Sequence, residues 1–242
     1  MLREEVIDVE TSSGPMAVLR KQPSDQLDVP KVVIFHDGPG IRTATHNYMR
    51  SLASLGYDVI APDLFHRYGR MIGYEPEELR AEPKIIDRLW DMIGSLTDDG
   101  IQSDLDAAMA AVGVRDDEQL GCVGFCLGAR AVFRTMMRLP EQFSVGSMSH
   151  PSFLVDDTDD SPHLSAAELT GKLFIGIGDA DKIQSIEAQQ AFFDAVDSLD
   201  HVSLEVFADV DHGYTWPGGD NYNAAAAETC FAATTAALAE SL

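Results

Sequence analysis

From residue 31 onward, short unbroken apolar runs take turns with stretches whose apolar residues recur at helical spacing, and this order constrains the fold more than any other feature. KVVIFHDGPG at 31–40 opens on such a run and ends in Gly-Pro-Gly. Runs without polar alternation suit strands buried on both faces, as in a parallel sheet. YDVIAPDLF (57–65), QLGCVGFCLG (119–128), FSVGSMSH (143–150), KLFIGIGDAD (172–181) and VSLEVFA (202–208) repeat the pattern. Between and after them, helices are predicted over Thr45–Leu55, Glu75–Ile93, a stretch capped by Ser103 and running to Val112, Ala129–Leu139, Ser185–Leu199 and Asn223–Leu242. Pro83 is expected to kink or break the second of these. Before residue 31, Val6–Glu10 and Met16–Leu19 read as a hairpin joined by Thr-Ser-Ser-Gly, followed by a polar connection at 21–29. The segment 156–160 reads as a solvated loop. The expected fold class is therefore α/β: a doubly wound, mostly parallel sheet with an N-terminal antiparallel hairpin. No repeat and no shift in composition marks a linker, so one domain over 1–242 is expected.

Charge narrows the partners. With 17 Lys and Arg against 40 Asp and Glu, the 242-residue chain carries a formal −23. Such a surface repels the phosphate backbone, which excludes nucleic acid as an expected partner, and disfavours anionic membranes for the same reason. No apolar run reaches the roughly 18 residues that span a bilayer, and MLREEVIDVE alternates like a strand instead of a signal peptide. Three cysteines are too few for a disulfide framework. A cytoplasmic monomer acting on a small molecule is the expectation. The excess of aspartate over glutamate and of arginine over lysine fits a salt-adapted host as well as an ordinary acidic one.

The chemistry is concentrated at strand ends. Gly124-Phe-Cys-Leu-Gly128 is G-x-C-x-G, the nucleophile-elbow pattern with cysteine where serine usually stands. A nucleophile at the tip of a sharp strand-to-helix turn needs glycines two residues before and after it so that strand and helix pass closely. It also puts sulfur at a helix N-terminus, which favours thiolate. In this arrangement an acid and then a histidine follow at later strand ends. Asp181 and His212 occupy those positions, with Asp179 as a competing acid, while Asp209 and Asp211 flank the histidine in what reads as a solvated loop. Oxyanion donors are expected from the N–H of Leu127 and from the His36-Asp37-Gly38-Pro39-Gly40 loop. Pro39 has no N–H, so Gly38 is the better donor there.

HDGPG, YDVIAPDLF, GFCLGAR, the GDAD turn and DHGY together resemble the dienelactone hydrolase family over roughly residues 30 to 240. The resemblance implies an α/β-hydrolase domain that cleaves esters or lactones without a cofactor. Cys126 would be the nucleophile, His212 the general base and then acid, and Asp181 the residue that orients His212. It also implies that Asp37, at a place where the family has glutamate, contacts the nucleophile. The founding enzymes hold their substrate's carboxylate with two arginines, at places filled here by Pro83 and Trp216. An uncharged ester or lactone is therefore expected in place of a carboxylated dienelactone. The alternatives are a non-catalytic ligand- or partner-binding member and an acyltransferase.

His36, Trp90, His150, Tyr214 and Trp216 are possible pocket residues, with ordinary core packing the better reading of Trp90. Arg42, Arg67, Arg70 and Arg80 read as surface residues, and Cys122 and Cys230 as packing. No H-x-x-x-H or H-E-x-x-H pattern supports a metal site.

Overall fold

The N-terminal hairpin extends well beyond its sequence signal. β1 (Leu2–Thr11) pairs antiparallel with β2 (Gly14–Pro23) along its whole length. Gly14 takes the positive φ of 107° that the turn needs, and the Thr11 hydroxyl donates to the Gly14 carbonyl at 2.7 Å. The connection predicted at 21–29 thus begins inside β2, and Leu27 lies outside the described residues. The structure, a computed structural model, describes residues 1–26 and 28–242. It divides into two compact units, Met1–Glu118 and Gln119–Leu242.

In the first unit β2 also pairs antiparallel with β4 (Asp58–Pro62), which pairs parallel with β3 (Lys31–Phe35). The order is β1-β2-β4-β3. Every residue of β3 and β4 is buried, as their unbroken apolar runs require. α1 (Thr43–Ser54) packs on β2 and β4. The predicted helix over Glu75–Ile93 is two helices, α2 (Pro76–Ala81) and α3 (Lys84–Gly94), broken at Glu82 and Pro83. α4 (Asp98–Val112) begins earlier than expected. Its cap is Thr97, whose hydroxyl accepts from the Gly100 N–H, and Asp98 and Asp99 favour the helix N-terminus. Ser103 is therefore an interior helical residue and caps nothing. α4 stops at Gly113, in the left-handed conformation.

The second unit is wholly parallel: β5 (Leu120–Phe125), β6 (Phe143–Ser149), β7 (Lys172–Gly178) and β8 (Val202–Phe207), adjacent in that order. α5 (Leu127–Arg138) packs on β5 and β6, and α7 (Ala224–Ser241) on β6 and β7. α6 (Ile186–Val196) is capped by Ser185, and α7 by Asn223, each accepting from a backbone N–H of the first turn. β7 carries small residues where α7 and the following loop come close: a Cβ on Gly176 would meet the Cys230 sulfur at 2.4 Å. The carboxyl ends of β5, β6, β7 and β8 lie on one edge of this parallel set, the edge on which open α/β sheets carry their sites.

Candidate active site

The turn between β5 and α5 is as sharp as its sequence predicts. Cys126 has φ 53° and ψ −118°, a conformation that costs a non-glycine residue energy and persists only when its surroundings hold it. Two backbone bonds hold it: the Cys126 N–H donates to the Ser149 carbonyl at 3.2 Å, and its carbonyl accepts from the Ser152 N–H at 3.0 Å. The glycine two residues before Cys126 is a steric requirement. A Cβ on Gly124 would lie 2.2 Å from the Gly128 carbonyl oxygen. Gly124→Ala is therefore expected to cost about 1–3 kcal/mol by forcing strand and helix apart, read as a lowered denaturant midpoint at unchanged slope.

Asp181 and His212 meet through a hydrogen bond from the His212 Nδ1–H to Asp181 Oδ2, at 2.7 Å. The other carboxylate oxygen accepts from the N–H groups of Ile183 (2.9 Å) and Gln184 (2.8 Å), so Asp181 is buried with both oxygens engaged. Asp179 faces elsewhere: its Oδ1 accepts from the Asp209 N–H at 2.7 Å. The competition between the two aspartates is thus resolved by which one reaches the imidazole. Asp211, expected in a solvated loop, is instead a clip between the two segments. Its Oδ1 accepts from the N–H groups of His212 (2.7 Å) and Lys182 (3.0 Å), and its Oδ2 pairs with Lys182 Nζ at 2.5 Å. Lys182 and His212 together hold the Asp211 carboxyl below the usual range despite partial burial.

The far nitrogen of His212, Nε2, is buried, and the ring interacts electrostatically with the Cys126 sulfur. Burial disfavours the imidazolium, but negative charge at the Cys126 sulfur and the bond to Asp181 outweigh it, and the His212 pKa is pushed up to about 10. The sulfur itself contacts a residue that sequence reasoning did not single out, with the Ser152 hydroxyl 3.4 Å from Sγ. Of the three cysteines Cys126 alone is not buried. Burial raises the thiols of the other two, Cys230 to about 11 and Cys122 further still.

The remaining residues fall into place around these. His150 is completely buried and lines no open pocket. Its ring stands edge-on to His212 with centroids 4.8 Å apart, and its Nε2 lies 2.9 Å from the Thr215 hydroxyl. Tyr214 is a core residue, packed with Phe174, Val210, Ala226 and Cys230, its hydroxyl 2.8 Å from the Cys230 sulfur. Trp216 is nearly buried against Phe125, with ring centroids 4.4 Å apart.

In the first unit His36 anchors the loop after β3 and is closed off from solvent. Its Nε2 accepts from the Leu64 N–H at 3.2 Å, so Nδ1 carries the proton and donates to the Asp37 carbonyl at 2.8 Å. Burial lowers its pKa and keeps this ring neutral. Trp90 is not core packing: α3 turns Leu89 and Met92 inward and leaves the indole 47% exposed. Arg42 is no surface residue either. It is buried, and it grips both oxygens of Asp37 at 2.5 and 2.8 Å. Arg67 pairs with Asp104, Arg70 with Asp8, and Arg80 with Glu77.

Comparison with known proteins bears on the whole chain. A Methylorubrum extorquens protein bearing the name carboxymethylenebutenolidase is 27% identical over 127 residues, which are 51% of this chain and 41% of that protein. The match therefore spans less than half the length of that relative. The hydrolase pyvD of Aspergillus violaceofuscus is 26% identical over 206 residues, 84% of this chain and 77% of its own. Among solved structures, one from Klebsiella pneumoniae described as a dienelactone hydrolase superposes with a TM-score of 0.84 at 18% identity, covering 99% of both chains. A dienelactone hydrolase-like promiscuous phosphotriesterase from metagenomic libraries gives 0.73 at 17% identity, covering 99% of this chain and 98% of that one. These likenesses establish the α/β fold. The model of the dienelactone hydrolase family matches residues 16–242, nearly the entire sequence and both of its units, and so this chain belongs to the dienelactone hydrolase family.

Proposed function

We propose that the chain is a one-domain hydrolase that cleaves a small ester or lactone through Cys126, His212 and Asp181, by way of an acyl-thioester. The observation that carries this reading is the 2.7 Å bond from His212 Nδ1 to Asp181 beside an elbow cysteine held at φ 53°. The raised His212 pKa favours a proton resident on the imidazole, and a thiolate on Cys126 is the nucleophile of the proposed cycle. Thiolate adds to the carbonyl carbon, and the oxyanion accepts from the Leu127 N–H at the first turn of α5. The family's pattern names Gly38 as the second donor. The intermediate collapses, the imidazolium passes its proton to the departing alkoxide, and the acyl group stays on sulfur. Neutral His212 then takes a proton from water, whose oxygen attacks the thioester and releases the acid and the thiolate. Amides are poor substrates for such a centre, because sulfur leaves the tetrahedral intermediate more readily than an amine.

The substrate is uncharged near the scissile bond. Pro83 and Trp216 fill the family's two arginine places, Pro83 at the N-terminus of α3 and Trp216 against Phe125. Arg42, Arg67, Arg70 and Arg80 are each neutralised by a carboxylate. Asp37 is likewise engaged by Arg42. The test is p-nitrophenyl acetate turnover by the wild type and by Cys126→Ala, followed by a panel of neutral and carboxylated lactones. Turnover lost in Cys126→Ala, with kcat/KM higher for neutral lactones by roughly tenfold or more, is expected. Turnover retained in Cys126→Ala overturns the nucleophile. An inert wild type supports the alternative of a ligand-binding member.

A further inference from the structure

Ser152 is completely buried in the segment that follows β6, 26 residues beyond Cys126 in sequence. Its backbone N–H donates to the Cys126 carbonyl at 3.0 Å, so it is tied to the elbow independently of its side chain. Among the described residues its hydroxyl has the Cys126 sulfur, at 3.4 Å, as hydrogen-bond partner and no other. A buried hydroxyl needs an acceptor, and a neutral thiol is a weak one. A thiolate is a strong one, because hydrogen bonds to ionised acceptors are roughly twice as strong as neutral ones. The contact is therefore fully satisfied only when the sulfur is ionised.

We propose that Ser152 is a positioning residue for the nucleophile, its O–H donating to the Cys126 thiolate and holding the sulfur at the elbow between turnovers. The proposal rests on Cys126 being the nucleophile. In the step concerned the S–H bond breaks and the proton passes to His212 Nε2, while sulfur keeps the electron pair and the Ser152 O–H turns towards it. Nothing is oxidised and no proton leaves the pair. The ionisable groups around this contact in the second unit are His212 and Asp181, His150 edge-on to His212, and Arg130, which donates to the Phe153 carbonyl and pairs with Asp156. Ser152 itself does not titrate, so its effect is visible as a displacement of the sulfur's own titration.

The experiment is the rate of Cys126 alkylation by iodoacetamide as a function of pH, read by mass spectrometry of the Cys126 peptide. Cys122 and Cys230 are buried and serve as internal controls. In Ser152→Ala the midpoint of the profile is expected to rise by about one pH unit, a tenfold loss of thiolate at fixed pH. Ser152→Thr and Ser152→Val have nearly the same shape and differ in the hydroxyl, so they carry the test even where alanine disturbs the loop. Threonine is expected to keep the wild-type profile and valine to shift it. Alanine and valine profiles superimposed on that of the wild type, or threonine and valine shifted equally, would overturn the role of Ser152 while leaving the nucleophile intact. A wild-type Cys126 that resists alkylation at every pH until the protein is unfolded would overturn the nucleophile, and this proposal with it.

Discussion

Replacing His212 by alanine is expected to lower kcat/KM on p-nitrophenyl acetate by at least about 10²–10⁴-fold with little change in far-ultraviolet circular dichroism. The imidazole has two duties in the proposed cycle. It holds the proton that leaves with the alcohol, and it then activates the water that attacks the thioester. Its position is over-determined: Nδ1 is tied to Asp181 at 2.7 Å, the backbone N–H to Asp211 at 2.7 Å, and the carbonyl to the Asn221 amide at 2.9 Å. Asp181, Asp211 and Asn221 remain in the variant, so the loop retains most of its polar partners and the loss falls on chemistry. The alkylation profile of Cys126 reports the effect of the imidazole on the sulfur. Without the imidazolium beside it the thiolate loses its counter-charge, and the midpoint is expected to move to higher pH in His212→Ala. A loss of activity under tenfold would remove His212 from the mechanism.

Asp181→Asn is the second large effect, about 10²–10⁴-fold in kcat at nearly unchanged KM. The geometry specifies why an isosteric change is so costly. Asp181 Oδ1 accepts from the Ile183 and Gln184 N–H groups, so an asparagine keeps its carbonyl oxygen on that side. Its amide then points a donor at Nδ1 of His212, and the ring answers by carrying its proton on Nε2. Neutral His212 in that tautomer can accept a proton at Nε2 neither from the Cys126 thiol nor from water, so acylation and deacylation are both expected to slow. Asp179→Asn is the control. Asp179 accepts from the Asp209 N–H and has no bond to the imidazole, so its replacement is expected to change kcat by no more than about threefold. Equal losses at 179 and 181 would mean that both act on the loop's shape and not on the ring's tautomer.

Much of this arrangement is legible in the sequence because it depends on backbone placement. Apolar runs such as Leu173–Ile175 mark strands buried on both faces, and the carboxyl ends of β5, β7 and β8 lead into the turns that carry Cys126, Asp181 and His212. Gly124 and Gly128 announce a close strand–helix passage, and their spacing brackets the cysteine. What the sequence conceals is the partnership of side chains that such placement permits. Ser152 is an unremarked serine in Ser-His-Pro-Ser-Phe, and its contact with the sulfur arises only because the β6 end lies against the elbow. Arg42 reads as an exposed charge until its burial against Asp37 is seen. Asp211 looks like one more acid in a solvated loop, yet its carboxylate fastens the segment of Lys182 to that of His212. Ser103 shows the reverse error, in which a good capping residue lies inside a helix because Thr97 with two aspartates behind it makes a stronger start.

In the proposed cycle the acyl group of the substrate passes through the Cys126 sulfur. Rapid acid quenching of the wild-type protein during turnover of p-nitrophenyl acetate, followed by mass spectrometry of its peptides, tests this directly. An acetyl group on the Cys126 peptide, removed by neutral hydroxylamine, is the expected result. An acetyl group on a serine, or acylation that persists in a Cys126→Ala chain, would contradict it.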